Sequence, residues 1–509
     1  FKVIMPSRGS SIGHVDESVP PSRRRYARDN QFTHHHITVF VITFFSFAFI
    51  HAARKTLSTV KGSLIQIWTH NTSTTTGPLF PNEKDAEDFL ALLDFGFLFA
   101  YAMGLYIGGI LGDRYNPRIV LSIGVWLSAL VIFLFGYMTE VFRVYSAPIY
   151  FTLWVSGGLF QSVAWPTDVC IMGNWFGRGS RGLVMGVWSA CASAGNIIGT
   201  LVTSTVISTG YQYAFAVNST ILFLFGFIVF YCLKAHPRDI GASEPWEWES
   251  ESDDVIEVST GSRPIGFIRA WKLPGVIPYS FAYACLKMVT YGFFFWLPFY
   301  LHSHFSWPEA EAGTLSTFFD IGGIVAAVLG GALSDRLSSR TPVVVVMLLI
   351  SSLCLGLYSI SPGDFIINAI MLSIVGFFVA GPANMISASV SADLGKAREL
   401  RGNTDALSTV TGIVDGTGSV GAAIGMLLIP EVQRTIGWNA VFYGFILMVL
   451  CTAGCLLPLL YREWNDYRRC VLGIDEEEDR NEERQGLLND EEHRRDSPSY
   501  GVDDNTPVG

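Results

Sequence analysis

The chain has 509 residues, 50% of them hydrophobic and only 15% charged, against about 25% charged in soluble proteins. Apolar runs of about 20 residues recur along it, too long for barrel strands, so the expected fold class is an all-α membrane protein that crosses the bilayer many times. The net charge of −10 belongs to the tail: residues 473–509 hold 13 Asp/Glu and 4 Arg, a balance of −9 that leaves about −1 elsewhere and no nucleic-acid partner to expect.

In chain order, a charged segment (1–35) comes first and is expected in the cytoplasm. The span behind it is too long for the apolar part of a signal peptide, so no cleavable leader is expected. Six spans then read at about 36–57, 89–111, 119–138, 149–171, 183–207 and 213–233. They make an N-terminal half, 36–233. A cytoplasmic linker, 234–272, carries the acidic stretch EPWEWESESDDVIE. Six more spans read at about 275–301, 312–334, 342–361, 365–391, 404–429 and 438–460, a second half within 273–461. The acidic tail, 462–509, reads as disordered and cytoplasmic.

An internal repeat supports the division. GILGDRYNPR (Gly109–Arg118) and GALSDRLSSR (Gly331–Arg340) share G-x-x-x-D-R-x-x-x-R, each between the second and third span of its half. Two equivalent halves are a transporter plan with a central site at their interface. Asp113, Arg114 and Arg118, with Asp335, Arg336 and Arg340, read as cytoplasmic gating latches between the halves.

Lysines and arginines set the orientation. With both termini inside, only Lys61, Lys84, Arg143 and Arg434 fall on the far side, and Arg54, Lys55 and Lys287 lie within spans. That places Asn71, in the sequon Asn-Thr-Ser, in a non-cytoplasmic loop as a glycosylation acceptor. A second sequon at Asn218 falls inside the sixth span. In the tail, Glu483, Leu487 and Leu488 fit an acidic dileucine sorting pattern, which would recruit sorting adaptors and place the protein in an endolysosomal membrane.

The eight cysteines show no Cys-x-x-Cys spacing and mostly sit in apolar runs, a packing role. There is no phosphate-cradling loop, nucleophile elbow or metal-spaced His/Cys set, so neither enzyme, metal nor cofactor is expected.

Several motifs carry a family likeness: RKTLSTVKGSL (Arg54–Leu64), QSVAWPTDVCIMGNWFGRGSRG (Gln161–Gly182), GVWSACASAGNIIG (Gly186–Gly199), GPANMISASVSADLG (Gly381–Gly395) and TGIVDGTGSVGAAIG (Thr411–Gly425). With the paired loops, they resemble the sugar-phosphate exchangers, solute carrier family 37, within the organophosphate:phosphate antiporters of the major facilitator superfamily. The resemblance covers roughly residues 33–465. It implies twelve transmembrane helices in two pseudo-symmetric halves, and exchange of a phosphate ester for inorganic phosphate. The family-based location is the endoplasmic reticulum, and an accessory membrane subunit is a further partner. In relatives a first-helix Arg and a seventh-helix basic residue bind the phosphate. The first carries over to Arg54, followed by Lys55. The second falls on Thr290 here, with Lys287 about one turn earlier. A span-five His of some relatives is Ala192.

Helical spacing gives an independent reading of the same residues. His51, Arg54, Ser58 and Lys61 share one stripe of the first span, and a buried guanidinium presents a planar fork suited to phosphate oxygens. The alternative for Arg54 and Lys55 is snorkelling to the headgroups. Lys287 sits mid-span in a stripe with Tyr283, Thr290 and Tyr291; its alternative is an ion pair with Asp94 or Asp320. Gln161 and Trp165 in span four, and Ser193 and Asn196 in span five, complete the expected binding set. Asp94 and Asp415 are intramembrane acids that either couple protons or pair with a buried cation. The rival functions are therefore a proton-coupled organic anion exporter and a non-transporting sensor with a transporter fold.

Overall fold

Each apolar run that the sequence marks out is helical in the computed structural model, which describes residues 34–70, 78–176, 181–241, 266–337, 341–390 and 407–472. The first six spans become α1 (His34–Thr59), α3 (Glu83–Arg114), α4 (Pro117–Phe133, continuing to Val141), α5 (Ala147–Gln161) with α6 (Ala164–Trp175), α7 (Arg181–Ser189) with α8 (Cys191–Val206), and α9 (Tyr211–Cys232). A short α2 (Lys61–His70) follows α1, and α10 (Phe267–Trp271) lies within the predicted linker. The second six are α11 (Val276–Phe305), α12 (Glu309–Leu337), α13 (Thr341–Tyr358), α14 (Phe365–Asn384), α15 (Leu407–Thr435) and α16 (Trp438–Leu472). The chain divides into a compact unit ending at Cys455 and a smaller one from Leu456, whose described part is the end of α16.

Among the described residues, eleven helical stretches are long and apolar enough to cross a membrane. The predicted fourth span is the remaining one, broken after Gln161 into pieces of 15 and 12 residues. Pro166 has no N–H for the carbonyl of Ser162, so the ladder is interrupted there. The outward faces are apolar and exposed, as at Leu224, Leu353 and Ile366, which in water would be an aggregation surface and in lipid is the solvated one.

Small residues set how closely the helices approach. Gly195 and Gly199 lie against the backbone of Ala48 and Ala52, so α8 packs directly on α1; a Cβ at either would collide with a carbonyl. Gly421 lies in the same way against Ala284, bringing α15 onto α11. The device recurs at matched spans of the two halves. Between the halves, α3 runs along α15, and α7 and α8 run along α12. The polar stripe of α1 and the facing surfaces of α8, α11, α12 and α15 therefore meet at the centre.

Candidate functional site

A central cavity lies between the halves. From the first it is lined by Phe47, His51 and Lys55 of α1, Tyr101 of α3, Trp165 of α6, and Ala192, Ser193 and Asn196 of α8. From the second come Tyr283, Thr290, Tyr291 and Phe294 of α11, Ser316 and Asp320 of α12, Asn384 and Ser387 around the end of α14, and Asp415 of α15. Its volume is ≈ 90 Å³, several times the roughly 10–15 Å³ that one water requires.

Arg54 and Lys55 do not snorkel. Arg54 is fully buried. Its Nε donates to Gln161 Oε1 at 3.0 Å and its Nη1 to Tyr291 Oη at 3.2 Å. The guanidinium carbon stands 4.5 Å from the centre of the Tyr101 ring and 5.0 Å from that of Phe97. Arg54 forms no ion pair among the described residues, and its Nη2 has no hydrogen-bond partner. Gln161 Nε2 and Trp165 Nε1 are also buried donors without acceptors. Arg54 does not line the cavity itself; Tyr101 and Tyr291, which touch it, do. Trp165, whose indole stacks on Trp188 with centroids 5.0 Å apart, forms a wall.

Lys55 is held across the interface. Its Nζ donates to the carbonyl of Phe294 at 2.5 Å, and the Ser58 hydroxyl donates to the same oxygen at 2.8 Å. Pro298 lies inside α11, four residues after Phe294. Having no N–H, it leaves the Phe294 carbonyl without its helical partner. Two donors of the first half occupy that vacancy.

Two other lysines are neutralised by carboxylates. Lys287 Nζ donates to Asp415 Oδ1 at 2.8 Å and to Ser419 Oγ at 2.8 Å, with the rings of Tyr101, Tyr283 and Tyr291 5.0–5.5 Å away. The alternative weighed for Lys287, an ion pair with Asp94 or Asp320, is met by a different acid: α11 presents Lys287 to Asp415 of α15, and Lys287 does not line the cavity. Thr290 does line it, its hydroxyl donating to the carbonyl of Lys287. Lys61, expected in a loop, is 1% exposed at the start of α2. It pairs with Asp94 Oδ2 at 2.5 Å and lies 3.7 Å from the centre of the Trp296 ring, across the interface. Asp94 and Asp415 thus both partner buried cations.

The third intramembrane acid of this region, Asp320, entered the sequence reading only as a partner for Lys287. It accepts from Asn196 Nδ2 at 2.7 Å, while His51 Nδ1 donates to Asn196 Oδ1 at 3.0 Å. Ser193 faces the same carboxylate. The signal that could have found Asp320 is simply an acid inside an apolar span. Ala192 lines the cavity, and the imidazole there comes from His51 on α1.

Of the expected latches, Arg114 is exposed at the end of α3 and Arg118 lies in the first turn of α4, its guanidinium 5.9 Å from the ring of Phe230. The side chains of Asp113, Asp335 and Arg336 lie outside the described set, as do residues Arg340, Asn71, Glu483, Leu487 and Leu488. Asn218, the in-span sequon, is buried and donates to Thr56 Oγ1.

Residues 43–409 match the Major Facilitator Superfamily. The chain is 46% identical to "Sugar phosphate exchanger 3" of Xenopus laevis over 86% of this chain and 95% of that one. The human protein of the same name is 47% identical over 85% and 94%. "Putative glycerol-3-phosphate transporter 5" of Arabidopsis thaliana is 36% identical over 86% and 93%. Among solved structures, the proton:xylose symporter XylE bound to 6-bromo-6-deoxy-D-glucose aligns at a TM-score of 0.62 with 12% identity, over 82% of this chain and 94% of that one; that likeness shows the fold. The chain is an integral, multi-pass membrane protein that belongs to the major facilitator superfamily, within its sugar phosphate exchanger family.

Proposed function

We propose that the protein is a secondary active transporter that exchanges an organic phosphate for inorganic phosphate by alternating access. The names of its relatives agree with that reading. The observation that carries it is Arg54: a fully buried cation that forms no ion pair among the described residues, whose Nη2 lacks an acceptor, as does Nε2 of the Gln161 amide bonded to it. Unmet donors in a dry site are costly, and a phosphate group supplies acceptor oxygens and negative charge together. Arg54 is the primary phosphate ligand, with its fork already oriented by Gln161 and Tyr291, and phosphate reaches it by displacing the Tyr291 hydroxyl.

Lys55 is the second cation. In the unloaded protein its ammonium rests on the Phe294 carbonyl, and a phosphate oxygen is the stronger acceptor because the bond becomes charge-assisted on both sides. Lys287, Tyr283, Thr290 and Ser193 act at one remove, as the walls and supports of the cavity. Asp94 and Asp415 stand as counter-ions of Lys61 and Lys287, which favours exchange over proton-driven export.

The same reading puts both termini in the cytoplasm, Asn71 as a glycan site, the sextet Asp113, Arg114, Arg118, Asp335, Arg336 and Arg340 as gating latches, and the protein in an endolysosomal or endoplasmic-reticulum membrane. The carrier itself needs no catalytic group. Counterflow in reconstituted vesicles tests the function: labelled phosphate should enter only when phosphate or an ester is inside. Uptake driven by a pH gradient into vesicles holding no counter-anion would instead establish the proton-coupled alternative.

A further inference from the structure

His51 lines the central cavity one turn before Arg54 and Lys55 on α1, and only one of its ring nitrogens is engaged. Asn196 Nδ2 donates to Asp320 Oδ1 at 2.7 Å, so the amide presents its oxygen to His51 Nδ1, 3.0 Å away. The reverse amide orientation would set oxygen against carboxylate. Nδ1 therefore carries the hydrogen, and the neutral ring keeps a lone pair on Nε2. The ring rests on those of Phe47 and Phe294, with centroids 4.7 and 5.8 Å away. Nε2 has no hydrogen-bond partner among the described residues. Arg54 and Lys55 can only donate, so they bind ionised phosphate oxygens; a P–OH needs an acceptor, and Nε2 is one.

The charges of the region agree with that. Arg54, Lys55 and Lys287 are the charged groups that face the ring. Lys55 faces Asp320 in its turn, and Lys287 is paired with Asp415. Among the described residues the centre thus holds three buried cations against two acids, and Arg54 is the charge left over. Lys61 and Asp94 form a neutral pair of their own, and the phenols of Tyr101, Tyr283 and Tyr291 add no charge. Asp168, a turn beyond Trp165 on α6, lines no part of the cavity and has no donor at either oxygen, the setting of an uncharged carboxyl. A water-poor site with one positive charge over is neutralised by a monoanion, whereas a dianion would leave a buried charge unmet.

We propose that His51 is a substrate-binding residue whose Nε2 accepts the hydrogen bond of a P–OH, so that the form carried is the phosphate monoanion. Arg54 and Lys55 hold the ionised oxygens, His51 holds the protonated one, and the proton stays on the phosphate throughout. This rests on the reading of Arg54 and Lys55 as the phosphate site and adds the group that reads the ligand's protonation state. A tetrahedral dianion without a proton, such as sulfate, would turn an oxygen toward the Nε2 lone pair and is rejected.

The test is equilibrium binding of labelled inorganic phosphate to the detergent-purified full chain, with sulfate as competitor. It runs from about pH 6 to about pH 8, across which phosphate gives up its second proton while sulfate keeps its charge. In the unaltered protein phosphate affinity should fall by about fourfold or more as the monoanion is depleted, and sulfate should need concentrations about tenfold higher or more to compete at the acid end. His51→Leu should weaken phosphate there by about tenfold, as one lost hydrogen bond does, and should narrow its margin over sulfate by about threefold or more. Affinity that holds or rises with pH in the unaltered protein overturns the proposal whatever the variant does, because the dianion is then the form bound. A fall with pH that sulfate shares also overturns it, since that titration belongs to the protein. So does a folded His51→Leu that keeps its phosphate affinity, or one that loses phosphate and sulfate alike, which is a structural effect. Absence of phosphate binding by the unaltered protein at every pH is a separate failure: it sinks the Arg54 site, and this proposal with it.

Discussion

Arg54 and Lys287 bring the same charge to the centre of the molecule, from opposite halves, and meet different fates there. Lys287 is met by Asp415 at 2.8 Å, whereas Arg54 is met by a side-chain amide, a phenol and two ring faces. A charge-assisted hydrogen bond is worth about 1.5–3 kcal/mol, or roughly ten- to a hundredfold in affinity at 1.4 kcal/mol per decade. Arg54→Gln should therefore weaken labelled-phosphate binding by at least tenfold, and an unchanged affinity would place the anion elsewhere. For Lys287 the expectation concerns stability. Removing one partner of a buried pair strands the other charge and costs roughly 3–5 kcal/mol, while replacing both by apolar residues is near neutral. Asp415→Leu should lower the thermal unfolding midpoint in detergent well below that of the double variant Lys287→Met with Asp415→Leu. The reverse order would mean that the pair is not a closed unit and that Lys287 spends its time in the cavity.

At the scale of the helix, the informative residue is Pro298. By leaving the Phe294 carbonyl without a helical donor, it creates an acceptor that two donors of the opposite half, Lys55 and Ser58, both use. Phosphate that draws the Lys55 ammonium away removes one of these two ties, so loading weakens the grip between α1 and α11. That gives a reason for obligate exchange: the empty carrier stays tied. Ser58→Ala, which deletes one donor at almost constant volume, and Pro298→Ala, which returns an N–H to the carbonyl, should each raise efflux of labelled phosphate into phosphate-free medium, by about tenfold if roughly one hydrogen bond of 1.4 kcal/mol is lost. Efflux that stays at the background level in both variants would remove the tether from the mechanism. The spans themselves were legible because a run of 20 apolar residues has one solution in lipid, and Arg54 was legible as a charge interrupting such a run. The partner of Lys287 was not. Asp94, Asp320 and Asp415 are all acids within apolar helices, and only the rotation of each helix about its axis decides which one faces the lysine. Since the lipid-facing and protein-facing sides are both apolar, the sequence periodicity that reports this rotation in soluble helices is faint here. Pro166 is the residue of span four that a helical ladder does not accommodate, and the structure breaks the span just before it, between Gln161 and Ala164.

For the whole molecule, the closest carboxylate contacts between the halves, apart from Asn196–Asp320, gather at the end where α3 and α12 begin. There Glu309, in the first turn of α12, accepts from the backbone N–H and the hydroxyl of Ser63, at 2.9 and 2.7 Å, and so caps the start of α2. Arg434 near the end of α15 pairs with Asp88 of α3. Lys61 on Trp296 lies between these and the cavity. Any conformation open toward this end, which the proposed orientation puts away from the cytoplasm, must break the Glu309 cap and the Arg434 pair. The Arg434–Asp88 pair is partly exposed and worth at most about 1 kcal/mol, whereas Glu309 holds two donors, one of them an otherwise orphaned helix-start N–H. Glu309 is therefore the stronger element, and the two variants should differ in kind. With Thr59→Cys as a reporter, a position 2% exposed beside the cap, alkylation of position 59 by a membrane-impermeant reagent applied from the non-cytoplasmic side should accelerate more than threefold in Glu309→Ala. It should change less than twofold in Asp88→Ala. Equal acceleration in the two would assign the closure to the surface ion pair, and none in either would mean that the apolar packing of α3 on α15 and of α8 on α12 keeps that end shut without help from its charges.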